Sequence, residues 1–263
     1  MRVRKAAVCG TFYPKSSLEL TKYFTHFNER LIKSNTKIKH PKAIIVPHAG
    51  YIYSGYTANV AYSLLSGVEP KRIVVIGPSH KIFLEGASIA LYNEYETPYG
   101  NLQIDLAYSS HLKEKYAALN FNPLAHCEHS TETQMPFIKK YFPATSIVEI
   151  VYGKIDFMEL STIISEIMLE SDNYVVISTD LSHFYTQKEA NVLDSICLNA
   201  IENLSLKLLN DGCEACGMTG IQALVQWAKS NSYISQVLDY RTSMDASGDS
   251  SRVVGYASAI IGE

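Results

Sequence analysis

The sequence predicts an α/β fold: a single domain over residues 1–263, built on a central, mostly parallel mixed sheet with helices on both faces. Three observations lead there. Short runs rich in β-branched residues alternate with segments of helical period along the whole chain. Those runs are apolar throughout rather than alternating, as strands covered on both faces are. No repeat, linker-like stretch or break in composition divides the chain.

The elements follow in order. Gly10-Thr11-Phe12-Tyr13-Pro14 ends a short lead-in, and Ser16 or Ser17 caps a helix. Leu20, Phe24, Phe27 and Leu31 recur at helical spacing, so an amphipathic helix spans 17–33. Ala43-Ile44-Ile45-Val46, closed by Pro47, reads as a buried strand. A helix from Ser54 to Leu65 follows, capped by Ser54 and ended near Gly67. A second strand covers Arg72 to Ile76 and a third Ala87 to Leu91, and Tyr92 to Asn101 reads as loop. Asp105 caps a helix to Lys115. His129 and Ser130 precede a helical run through Tyr141, which carries Pro136 in its first turns.

Ser146 to Val151 is a strand, Asp156 caps a helix to Leu169, and Tyr174 to Ser178 is another apolar strand. Thr186 and Glu189 form a T-x-x-E capping box for a helix to Leu204. A turn from Asp211 to Gly217 precedes the helix Thr219 to Ala228. Gln236 to Tyr240 and Val253 to Ile261 are the last strands. No helix separates them, so they form an antiparallel pair at one edge.

Composition excludes several function classes. The chain is 47% hydrophobic and 19% charged, which supports a sizeable core. A net charge of −3 without a long basic block argues against nucleic acid as a partner. No apolar run has signal-peptide length, and none approaches the roughly 18 residues of a membrane span. Five cysteines at irregular spacing suggest no disulfide framework, so a cytoplasmic protein with reduced thiols is expected.

Three of the eight histidines occupy equivalent places, just past an apolar strand: His48, His80 and His183. If those strands run parallel, the three imidazoles share one crevice, at the edge where open α/β sheets bind ligands. Imidazole suits both transition-metal ligation and proton transfer near neutrality. A lone histidine in such a loop is more often a plain hydrogen-bonder, and it is the threefold placement that favours shared function. His26, His40, His111 and His126 carry less. His129, between Glu128 and Glu132, either faces the crevice or caps its helix. Asp180 stands three residues before His183 and can orient a histidine or cap the turn. Asp245 and Asp249 lie near the last strand, as ligands or as solvated turn residues. Cys213-Glu214-Ala215-Cys216 is a lone CxxC, read as a packed turn allowed by Gly217 rather than a zinc or redox site. No P-loop, GxGxxG or GxSxG is present.

PHAGYIYSG (47–55), IGPSH (76–80), EHSTETQMPF (128–137), STDLSHF (178–184), ACGMTGI (215–221) and GDSSRVVGYAS (248–258) together resemble the Memo family, in order and over nearly the whole chain. The resemblance implies a fold similar to class III extradiol dioxygenases of the LigB type, which hold Fe(II) with two histidines and a carboxylate. Carried over, His48 and His80 match the histidine ligands, and His183 matches a further ligand or acid/base group with Asp180 beside it. The animal member's third ligand is a cysteine in the loop before the last strand. Here Ala246 falls at that place, which leaves Asp245 or His183 as the replacement.

The expectation is a metal-dependent oxidoreductase on a small molecule, with Fe(II), another divalent metal or copper as cofactor. His183 and Asp180 are its acid/base pair. Hydrolysis by a metal-activated water is a weaker alternative. A non-catalytic module that binds a peptide in the same crevice is the reading from another class, since the animal member is described as a signalling adaptor. Family gene clusters also imply AMMECR1-like and radical SAM partners.

Overall fold

Four parallel strands form the centre of the sheet, in the order Ser146–Tyr152, Arg72–Pro78, Asn173–Ser178, Pro41–Val46. The structure, a computed structural model, describes residues 2–31 and 36–263. Val46 lies opposite Ser178 and Ile76 opposite Ile177, so these strands end together at one edge. The last strand, Val253–Gly262, runs antiparallel to both Pro41–Val46 and Ile234–Thr242; its connection from the latter holds only the four-residue helical turn Met244–Ser247, too short for a parallel crossover. Short strands such as Glu94–Tyr95 and Leu102–Ile104 extend the far side.

The apolar runs are buried on both faces, and alternate residues serve different cores. Ala43, Ile45, Val74, Ile76, Val175 and Ile177 pack with the helices Phe157–Ile167, Gln187–Glu202 and Met218–Ser230. Ile44, Val46, Ile73, Val75 and Val176 pack with Ser17–Glu29, Tyr51–Leu65 and Met135–Tyr141. Where Ser17–Glu29 crosses Tyr51–Leu65, a Cβ at Gly55 would fall 2.6 Å from Cζ of Phe27.

Several boundaries differ from expectation. The first helix closes at Glu29, and residues 32 and 33 lie outside the described residues. The helix after His48 starts at Tyr51, not Ser54. Phe12 O takes the Tyr51 N–H, which satisfies one of the free donors of the first turn, while Ser54 Oγ donates back to Ala49 O. The 130–141 run is two helices, His129–Glu132 and Met135–Tyr141, with Pro136 in the first turn of the second. Within the expected 92–101 loop, Glu94–Tyr95 pairs with Leu102–Ile104.

The expectation of wholly reduced thiols is corrected: Cys197 and Cys213 form a disulfide, because the 211–217 turn folds back on the 187–202 helix. Gly217 has an ordinary φ of −96°. Glycine is needed there for close approach, since a Cβ would stand 2.5 Å from Cβ of Thr179. Among the described residues no helix is long and apolar enough to cross a membrane.

Candidate metal centre

The strand ends bring His48 and His80 together, and the turn of helix at His129 supplies a third imidazole. One ring nitrogen of each lies within 4.8 Å of the other two. Ring centroids are 5.2 Å apart for His48–His80, 5.3 Å for His48–His129 and 4.7 Å for His80–His129. His183 is not in this group. It lies in a short strand, His183–Tyr185, paired with Val253 and Val254, and borders a separate cavity of about 370 Å³ with Leu181, Cys213 and Met218. Asp245 also lies elsewhere. It sits in the Met244–Ser247 turn, where Oδ2 accepts from Thr242 N at 2.8 Å, and with Ala246 it lines another cavity, of about 360 Å³.

Hydrogen bonds decide which nitrogens are free. Ser178 Oγ donates to Ser130 O and accepts from Gln134 Nε2 at 2.9 Å, so toward His48 it acts as acceptor. His48 Nδ1, 3.0 Å away, therefore carries the proton, and Nε2 keeps its lone pair. Glu128 faces the other two. Its Oε1 lies 2.7 Å from Nδ1 of His129 and 3.5 Å from Nδ1 of His80. The carboxylate also accepts the backbone N–H of His80 at 2.6 Å and of His129 at 2.7 Å. Nε2 of His48 is left as a lone-pair donor, and the Glu128 carboxylate faces the other two rings through Nδ1, as in a carboxylate–histidine–metal chain.

Electrostatics agree with that protonation. His48 is 2% exposed, and burial is the main cause that lowers its pKa to about 4, helped by His80 and His129 and opposed by Asp180. Burial works to raise the Glu128 pKa, but hydrogen bonds from His129 and His80 outweigh it and hold the carboxyl well below its usual range. Asp180 touches His48 twice. Oδ1 accepts from His48 N at 2.8 Å, and Oδ2 lies 4.0 Å from Nε2. Cys216 Sγ stands 3.3 Å from the same Nε2. Burial, then the Asp180 charge, push that thiol up to about 12.

The family model described as "Memo-like protein" matches residues 4–260. The chain belongs to the Memo family. A MEMO1 family protein of Aquifex aeolicus is 36% identical over 274 residues, covering 99% of each chain. One from Methanobrevibacter smithii is 35% identical, covering 98% of this chain and 99% of its own. The fold is also similar to the crystal structure of an uncharacterized Escherichia coli K12 protein, with a TM-score of 0.56 at 13% identity over 83% of this chain and 99% of that one. Against this Memo-family background, the structure adds His129, Glu128, Ser178 and Cys216 to the neighbourhood of His48 and His80. A carboxylate next in sequence to a histidine was the one visible signal for Glu128. Ser178 and Cys216 gave none, because their roles depend on strand register and on a turn folded back over it.

A second constellation resembles a catalytic triad. Ser88 Oγ is 2.8 Å from Nε2 of His126, whose Nδ1 is 2.8 Å from Glu149 Oε2. All three are buried, and Ser88 Oγ is engaged by Asn122 N at 2.8 Å. A nucleophile so enclosed has no room for a substrate, so the chain of bonds is structural. Glu149 also accepts from Thr131, which anchors the His129 turn from below.

Proposed function

We propose that this Memo-family protein is a metal-dependent oxidoreductase acting on a small molecule, with a transition-metal ion held by Nε2 of His48, His80 and His129. The observation that carries the reading is the set of three imidazoles that each bring one ring nitrogen within 4.8 Å of the other two. An all-imidazole set fits iron, copper or zinc, and the dioxygenase-like resemblance favours Fe(II). Such an ion supplies Lewis acidity and, when redox-active, electrons to O₂. Glu128 orients two ligands and balances charge. Asp180, 4.0 Å from His48 Nε2 and nearly buried, is the base placed to take a proton from a substrate hydroxyl. His183 serves as a second acid/base group only for a substrate long enough to reach its cavity. AMMECR1-like and radical SAM partners belong to the same proposal through family context.

A second reading, a peptide-binding module, is favoured by the exposed apolar side chains Ile52 and Tyr53 on the helix that follows His48. The two part on one experiment. Protein loaded anaerobically with Fe(II) is mixed with catechol-like probes and O₂ uptake is followed. Uptake that disappears in Asp180→Asn, with metal content unchanged, supports the enzyme. Metal-loaded protein inert to every probe, and a peptide bound equally well with and without metal, would favour the module.

A further inference from the structure

We propose that the Tyr256 hydroxyl is a further catalytic group of the site, donating a hydrogen bond to an oxygen of the bound substrate; this rests on the metal reading above. The first observation is an unused donor. Six tyrosines are buried among the described residues, and five of them engage their hydroxyls within the protein. Tyr13 donates to Glu132, Tyr51 to Thr133 O, Tyr62 to Gln134 and Tyr95 to Glu149, while Tyr152 accepts from Gly220 N. Tyr256 is the exception. It is 2% exposed, yet its Oη has no protein partner among the described residues. Nor is Oη one of the polar atoms sealed away without a partner, as Ser258 Oγ is, so it opens onto space that a ligand can enter. A buried phenol normally finds its partner inside the fold.

The second observation is where the residue stands. Val253–Gly262 runs antiparallel to Pro41–Val46, with Ala259 opposite Ile45. The same register, carried three residues further, brings Tyr256 level with His48. Side chains alternate along a strand, so Tyr256 shares the sheet face of Ile260, which packs with Ile44 and Val46 under the helix Tyr51–Leu65. Leu181 N donates to Gly255 O and Gly255 N to Ser182 O, which fastens this part of the strand beside the Asp180 segment. Burial, then the charge of Asp180, then Tyr53, hold the phenol pKa well above the ordinary 10. Tyr256 therefore keeps its proton and acts as a donor. No bond forms or breaks there. The O–H is held toward the substrate oxygen, and the interaction strengthens as that oxygen gains negative charge.

Zinc(II) is the loading ion, because it has no redox chemistry and leaves the probe unconsumed. The probe is 4-nitrocatechol, followed by its visible absorption in an equilibrium titration. Wild type and Tyr256→Phe are compared, each checked for native circular dichroism and bound zinc. Equal zinc affinity is expected, with 4-nitrocatechol bound about 10–100-fold more weakly by Tyr256→Phe, the scale of one hydrogen bond to a charged oxygen. Tyr240→Phe removes a phenol that Asp194 already holds, and should bind the probe as wild type does. Equal probe affinity in wild type and Tyr256→Phe, or an equal loss in Tyr240→Phe, overturns the assignment and leaves the metal site standing. Zinc lost from folded Tyr256→Phe also overturns it, since the hydroxyl would then serve the metal site rather than the substrate. Zinc-loaded wild type that binds no 4-nitrocatechol overturns it as well. Folded wild type that takes up no zinc removes both this proposal and the metal reading.

Discussion

At the residue scale, Glu128 does more for the site than its distance from the open side suggests. Fully buried, it accepts from two backbone N–H groups of the histidines it also faces through their Nδ1 atoms. Glu128→Gln keeps the shape but ends the charge, and the lost orientation should weaken metal affinity about 10–100-fold in a competition titration. An unchanged affinity would mean the histidines are oriented by packing alone. His48 gives a pH prediction. Its folded pKa of about 4 lies below the ordinary 6.5. The unfolded chain therefore binds the proton first as pH falls, and stability drops with it. In metal-free protein this contribution is complete above pH ~6.5 and is lost progressively toward pH 4, about 3 kcal/mol in all. Urea titrations of wild type and His48→Gln across that range would show a steeper fall for wild type.

At the element scale, the short helix His129–Glu132 owes its place to charges at both ends. Glu132, fully buried, accepts from Ala7 N, Val8 N, Tyr13 Oη and the Arg4 guanidinium, which pins the lead-in segment against the helix. Phe12 of that segment then packs tilted against His129, with ring centroids 4.7 Å apart. Glu132→Ala leaves Arg4 buried without its ion-pair partner, and should cost about 3–5 kcal/mol in equilibrium unfolding. A loss below 1 kcal/mol would mean that water reaches Arg4 readily. The elements also show what could be read from residues alone. The apolar strands, the Asp105 and Asp156 caps and the Thr186–Glu189 box stand where local chemistry predicts them. The start of the helix at Tyr51 was not legible, because Phe12 O supplies a cap from outside the local window.

At the scale of the whole molecule, parallel strands with a common edge turn a pattern of spacing into a site. His48 and His80 were recognisable because each follows an apolar run directly, and register carries both to the same end of the sheet. His183 follows such a run too, but the chain turns there into the 183–185 strand beside Val253 and Val254, and the group of three imidazoles does not include it. His129 enters from a different layer, on a turn anchored by Glu149 through Thr131. Spacing could not distinguish the two, since what separates them is the direction of the chain after the strand end.

That difference offers the most direct test of the account. Metal affinity would be measured by anaerobic titration with Fe(II) and Zn(II) for wild type, His129→Ala and His183→Ala, each checked for native circular dichroism. The account predicts about one ion per chain for wild type, affinity reduced at least 100-fold in His129→Ala, and near-native affinity in His183→Ala. Tight binding retained in His129→Ala and lost in His183→Ala would contradict it, and would place the metal at the edge of the sheet that His183 occupies.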